Sequence, residues 1–503
     1  MVFRANVITT RNNPCIYQHE YDLCRDNCHG KGSLAKIDLL KIQHMISARW
    51  RSIIRKGWQL SLLLPGFTRA YSQDAAVRLT MDQAVTAALA GNQELRLAAF
   101  DEKIAAARYR ETRAVFLPQG RLSYTAMTTN NPLDAFGVRL QQRSIASGDF
   151  NPDQLNHPGS IPDFMARVDV RQPLLNMDQL YMRKGAAKQV EAFGFKKQRS
   201  REWLVFEVRR AYLQLQLAYR SVKVLEEALA TADALYRYTS DRVDQGFLSK
   251  ADALNAKVQV TTTESRLAEA RSNVKNASDY LGLLMGKPPG IVYSASEDLL
   301  TGAASSPGEP VVTAAAADSI VPAGRADFLA LQKSIEVSDL GIRSGKLSAL
   351  PRINAFGSYQ FNDSRMLGFG ANAYLAGVQL SWDIFQGNSI RSKAATQTLE
   401  RNKLAEELSL CKEQGNLELH KADRQLADAG FRIRQQESAV TGASESLRIL
   451  RDRYQQGLAG STDVLLAQTQ LSQQQLALAQ AVFDHHVTIA YIRFLTSSSA
   501  DKK

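Results

Sequence analysis

A mainly α-helical protein with a β-barrel part, built from two copies of one unit, is predicted by three features of this sequence. The chain aligns with itself at two offsets, two long stretches contain no proline, and segments that follow prolines change to a hydrophobic period of two. Internal repeats are weighed first because they set the unit of the fold.

Gly91 set against Gly324 carries Leu95 onto Phe328 and Pro118 onto Pro351, an offset of 233. Farther on, Asp241-Arg242-Val243-Asp244-Gln245-Gly246 falls on Asp452-Arg453-Tyr454-Gln455-Gln456-Gly457 at an offset of 211. That register persists through Asp252 on Asp463, Leu254 on Leu465 and Ala256 on Ala467. The difference of 22 residues fits a longer connection in the first copy, around Thr125 to Asp163, than in the second, around Phe361 to Asn372.

Residues 80 to 115 are rich in Ala, Arg and Glu, without proline, and read as a helix that Pro118 ends. After Pro351 the period becomes two, Ile353, Ala355, Tyr359 and Phe361 alternating with Asn354, Ser358 and Gln360. Val378, Leu380, Trp382 and Ile384 alternate with Gln379, Ser381 and Asp383, and Val168 and Val170 with Asp169 and Arg171. These are strands with one apolar and one polar face. From about Gln179 to Asp244, and again from about Ser389 to Gln456, no proline intervenes. Each stretch predicts one helix of roughly 100 Å at 1.5 Å per residue. Gly246 and Gly457 then suit a helix C-terminus, Ser249 and Ser461 suit the next N-cap, and return arms run to about Met285 and Leu495.

The short arms are about half the long one, so return arm and opening helix can stack end to end beside it, with strands at one end and glycine turns at the other. A polar, alanine-rich helix of this length must lie against others as a coiled-coil-like layer. Four strands leave two open edges, which oligomerisation can remove by closing a shared barrel. Alternation alone suits a soluble sandwich as well as a membrane barrel, where the apolar face would meet lipid. Two, three or four chains satisfy the arithmetic.

The formal charge of +12 is concentrated at the start, where residues 1 to 72 hold 11 Lys and Arg against 4 Asp and Glu. Over the remaining 431 residues, 51 basic groups face 46 acidic ones, which supports no nucleic-acid partner. No run approaches 18 uninterrupted apolar residues, so no helical membrane span is predicted. Arg49 to Lys56, the apolar run Leu60 to Pro65 and Ala70-Tyr71-Ser72 before Gln73 have the order of a secretory signal peptide, with Met45 its start. Cys15, Cys24, Cys28 and His29 lie upstream without a second ligand pair, so no metal site is read there. Past Gln73 only Cys411 remains, which excludes a disulfide within one mature chain. His157, His420, His485 and His486 come with no phosphate loop or nucleophile elbow, and neither catalysis nor a cofactor is predicted.

From about Leu79 to Thr496 the chain resembles the TolC family of outer membrane efflux proteins. Leu79 to Ala84 with Leu89, Asn92 and Leu95 resemble the opening helix. Phe116-Leu117-Pro118 and Gln172-Pro173-Leu174-Leu175 resemble the passages into the first strand and out of the second, and Pro351 stands where Pro118 does in the repeat. The turns Arg242-x3-Gly246-x5-Asp252-x-Leu254 and Arg453-Tyr454-x2-Gly457-x5-Asp463-x-Leu465 carry the resemblance furthest. It implies a homotrimer sharing a twelve-stranded barrel in the outer membrane, with long helical hairpins forming a tunnel across the periplasm. It also implies tips that contact a periplasmic adaptor coupled to an inner-membrane pump of RND or ABC type. Tyr454 and Asp463 would belong to the periplasmic aperture, while Ala459 and Leu466 replace an arginine and an aspartate of the family pattern.

The organisation expected is a presequence over 1–72, repeats over 73–290 and 324–496, a linker over 291–323 and a tail over 497–503. The function expected is a passive conduit of tripartite efflux or type I secretion, in a Gram-negative cell. The alternative is a soluble coiled-coil scaffold.

Overall fold

A computed structural model describes residues 76–296 and 320–498 of the chain. The expected presequence with its start at Met45, most of the linker and most of the tail lie outside the described residues. The first repeat comprises β1 (Val77–Leu79), α1 (Met81–Gly91), α2 (Gln93–Glu111), β2 (Gln119–Thr129), α3 (Pro132–Gln141), α4 (Pro152–Asn156), β3 (Ile161–Leu175), α5 (Met177–Asp244), α6 (Lys250–Leu284) and β4 (Tyr293–Ala295). The second comprises α7 (Ala326–Leu347), β5 (Arg352–Asp363), β6 (Ala371–Ser381), α8 (Ser389–Gln455) and α9 (Ser461–Leu495). The long helices have 68 and 67 residues and each return arm has 35, so the two hairpins match in length as the repeat predicts.

Return arm and opening helix do meet end to end. Asn92 Nδ2 donates to the Leu284 carbonyl at 3.0 Å, joining the start of α2 to the end of α6. The backbones cross so closely that a Cβ on Gly91 would collide with the Met285 carbonyl. Asn92 also breaks the single helix expected over 80–115, because its backbone is extended and its Oδ1 accepts from Leu95 N at 2.9 Å. Ser249 caps α6 as expected, whereas in the second copy the N-cap is Gly460 and Ser461 is already helical.

Two small strands escape a period analysis because each is three residues long. β1 and β4 pair in parallel, Val77 with Tyr293 and Leu79 with Ala295, so the first residues of the expected linker fold onto the first repeat. Tyr219 and Tyr212 hold this ribbon through hydroxyl donors to the Tyr293 and Leu79 carbonyls, both at 2.9 Å. The other four strands form one antiparallel sheet in the order β2-β3-β5-β6, with β2 and β6 as open edges. β6 ends at Ser381, so Trp382 and Ile384 lie beyond the strand expected there. Trp382 Nε1 instead donates to the Ala349 carbonyl at 2.9 Å, and the chain turns into α8 through positive φ at Gly387 and Asn388.

Cores run along the whole helical part. Ala84, Val208, Tyr212, Leu215 and Leu281 pack α1, α5 and α6 together, while Phe206, Phe328, Leu419 and Phe494 join α5, α7, α8 and α9. Alanines fill much of the α5–α6 seam, which lets the axes approach. On α8, Leu410, Leu417 and Phe431 lie at heptad multiples, with Arg424 at the position between the last two, and the described residues leave half or more of each of the three uncovered. Such a row is what a helix presents to a neighbouring helix layer.

Candidate functional site

The sheet register sorts the strand side chains into two faces, since directly paired residues point the same way. One row runs Leu122, Val168, Tyr359, Tyr374, and another runs Gly120, Val170, Gly357, Ala376. Leu380 joins Ile353, and Val378 joins Ala355. This face is apolar through its middle rows, with Thr128, Gln172 and Asn372 toward its ends, and its single charge is Asp363 at the outer end, where that carboxylate caps the turn through Arg365 N and Gly370 N. The opposite face carries Arg121, Arg167, Asp169, Ser358, Gln360 and Gln379. Alternation that four strands keep in common register is a far stronger signal than alternation in one.

The prolines mark the passages between helix and sheet. Pro118 and Pro351 stand immediately before β2 and β5. Pro173 lies in β3 past the last residue paired with β2, at a register shift against β5, where the missing N–H breaks no ladder bond on the β2 side. The longer connection of the first repeat holds α3 and α4. Gln142 donates to Asp163 Oδ1 at 2.9 Å and Asn362 Nδ2 to Asp163 Oδ2 at 3.0 Å, so the end of α3 sits over the outer end of the polar face.

At the other end of the molecule the two turns have the same backbone. Gly246 and Gly457 have φ of +79° and +75°. Gly246 N donates to the Val243 carbonyl and Phe247 N to that of Arg242, both at 2.9 Å. In the second copy, Gly457 N donates to Tyr454 O at 3.0 Å and Leu458 N to Arg453 O at 2.8 Å. This is the paired closure that glycine permits at a helix end. Asp252 and Asp463 are third helical residues whose carboxylates accept from the N-cap backbone of Ser249 and Gly460, at 3.3 and 3.0 Å. The shared Arg, Gly and Asp spacing is therefore in part a folding signal for the turn.

The side chains at the tips differ. Arg242 lies over the rings of Tyr238 and Phe247, with centroids 5.4 and 5.5 Å away, whereas Arg453 is exposed. Leu254 is exposed, and Leu465 is half-buried against the cluster of Leu235, Leu447, Tyr454 and Val464. Tyr454 is 7% exposed and crosses between hairpins to Thr239 Oγ1 at 2.9 Å. Thr239 gives its own hydroxyl proton to the Leu235 carbonyl at 2.7 Å, so Tyr454 is the donor. Burial raises the Tyr454 pKa, which keeps the phenol protonated. Ala459 packs beside this cluster and Leu466 is exposed. Tyr238 and Thr239, which sequence reasoning missed, meet Tyr454 from 216 and 215 residues away and leave no local pattern to find.

A four-stranded, two-edged sheet at one end of long paired hairpins is the fold of barrel-and-tunnel proteins. The family model for outer membrane efflux proteins matches residues 84–287 and 321–493, and the chain belongs to that family, which is one of channels rather than enzymes. It is 22% identical over 423 residues to the outer membrane protein TolC of Salmonella enteritidis, covering 80% of this chain and 79% of that one. Among solved structures, the fold is similar to CusC, with a TM-score of 0.68 at 16% identity, covering 87% of this chain and 100% of that one. It is also similar to the outer membrane protein VceC of Vibrio cholerae, with a TM-score of 0.65 at 16% identity and coverage of 83% and 96%. The protein is thus an outer membrane efflux channel of the TolC family, reaching into the periplasm.

Proposed function

We propose that three copies of this chain close a twelve-stranded barrel, with the apolar strand face toward lipid and the polar face lining the lumen. The hairpins then form a tunnel whose tips meet a periplasmic adaptor and, through it, an inner-membrane pump of RND or ABC type. The chain is a passive conduit of tripartite efflux or type I secretion, and selection of cargo belongs to the pump and adaptor. The observation that carries this reading is the apolar face kept in register across four strands whose two edges are open. The exposed heptad row on α8 supports it, since a single chain supplies only part of a tunnel wall. Membrane fractionation tests the reading: the protein should leave the outer membrane only with detergent, start near Gln73, run as a heat-labile trimer and conduct in planar bilayers. A soluble, monomeric product would support the scaffold alternative instead.

In this reading Arg242, Gly246, Asp252 and Leu254 of one tip, and Arg453, Gly457, Asp463 and Leu465 of the other, make the adaptor contact. A residue with Cβ at positive φ costs roughly 1 to 2 kcal/mol. Gly246→Val combined with Gly457→Val should leave trimer and barrel intact yet lower export, as measured by loss of resistance to an exported compound. Tyr454 and Asp463 act on the closed aperture, Tyr454 by tying the second hairpin to the first. Tyr454→Phe removes a hydrogen bond worth about 1 kcal/mol, and both Tyr454→Phe and Asp463→Ala should raise single-channel conductance. Normal export by the glycine variants, with parental conductance in the other two, would reduce the tips to connectors.

A further inference from the structure

The polar face of the sheet is not uniformly polar. Arg121 pairs with Asp169, Ser123 with Arg167, and Gln119 with Arg171, so three guanidiniums gather around one carboxylate in the rows nearest the helices. Arg167 Nε takes that carboxylate at 2.8 Å. Arg121 and Arg171 are exposed. Three arginines against one aspartate leave two unbalanced positive charges per chain in this belt. The remaining charges of the face do not offset them. Arg352 is paired with Asp178 at 2.7 Å, and Asp163 is fully buried under the end of α3 at the far end of the strands.

We propose that Arg121, Arg171 and the Arg167–Asp169 pair form an electropositive belt in the barrel lumen, where barrel meets tunnel, that favours passage of anions. This rests on the reading of the chain as a trimeric channel, which places three copies of the belt around one lumen. Ligands of the belt are small anions and the carboxylate, sulfate or phosphate groups of larger solutes, because a guanidinium presents a planar fork of donors to such groups. A lumen with walls of low dielectric constant focuses the field of like charges and raises the local concentration of counter-ions. The belt tunes conduction and contains no built pocket, so it discriminates by charge and not by shape.

The test is the reversal potential of the full-length trimer in planar bilayers under a KCl gradient at low ionic strength, where screening is weakest. The parent channel should reverse on the chloride side of zero. Arg121→Gln combined with Arg171→Gln should move the reversal potential toward potassium, lowering the chloride-to-potassium permeability ratio by about twofold to tenfold. Arg121→Lys with Arg171→Lys should keep the parental value. A parent channel that prefers potassium overturns the proposal whether or not the variants assemble, as does a Gln variant that reverses where the parent does. Absence of any conductance from purified trimer would instead overturn the channel reading and the proposal with it.

Discussion

Asp327→Ala should destabilise the helical part by about 3 to 5 kcal/mol, the cost of leaving a buried partner charge uncompensated. Asp327 takes Arg325 in a two-point contact at 2.7 and 2.6 Å, and Arg199 Nε stands 3.8 Å from the same carboxylate. Arg199, 1% exposed, donates to Glu202 at 3.2 Å, to the Phe494 carbonyl at 3.1 Å and to Ser497 at 3.3 Å. Its guanidinium also lies 3.6 Å from the centroid of the Phe494 ring. Burial lowers the Arg199 pKa, an effect that the Asp327 charge opposes, so removing Asp327 worsens the position of both arginines. The network joins α5, the start of α7 and the end of α9, which is where the two repeats meet. Thermal unfolding of purified trimer, followed by helical circular dichroism, measures the effect. Asp233→Ala is the control: its pair with Arg237 spans 3.9 Å on an exposed face, and its loss should cost no more than about 1 kcal/mol. Equal stability of the two variants would remove this cluster as the pin between repeats.

The helices and turns were legible because their signals are local and duplicated. A proline-free stretch bounded by Gly246 and matched by one bounded by Gly457 leaves little choice of where a hairpin begins and returns. The strands were legible from alternation, but not their order, since nothing near Val168 specifies that β3 pairs with β5 across 178 to 199 residues. Tertiary contact set what remained. Asn92 breaks a stretch with helical composition by capping the next helix through Leu95 N, and its amide reaches the Leu284 carbonyl across 192 residues. Three-residue strands such as β1 are too short for any period to show.

The candidate site divides in the same way. The tip motif was visible because both copies spell it, and its backbone explanation, a glycine closure followed by an aspartate cap, is local. The bridge from Tyr454 to Thr239 joins two hairpins, and the network of Arg199 with Asp327 joins two repeats, so each exists only after the halves have packed. The arginine belt lies between. Arg121, Arg167 and Arg171 occupy alternate positions readable in the sequence, yet only the register brings Arg121 opposite Asp169 and beside the other two.

Val168→Arg should then prevent assembly of the barrel, at a cost of about 2 to 4 kcal/mol for a cation placed against lipid near the bilayer midplane. Val168 is the central residue of β3, and its row of Leu122, Tyr359 and Tyr374 crosses the middle of the sheet on the apolar face. Leu380 shares the apolar alternation, but it is the penultimate residue of β6, at the helix end of the strand. There the same charge can reach interfacial water, and Leu380→Arg should cost only about 0 to 1 kcal/mol. Ser358→Arg is the matched test of the opposite face. It lies one row from Val168 in the register, in the row of Asp169 and the exposed Arg121, where lumen water solvates an added guanidinium and screens it from the neighbouring arginines. The yield of heat-labile trimer in the outer membrane should therefore collapse for Val168→Arg, fall slightly for Leu380→Arg and hold for Ser358→Arg. If Ser358→Arg were the harmful change and Val168→Arg silent, the faces would be assigned backwards. If all three assembled normally, the sheet would not be a membrane wall at all.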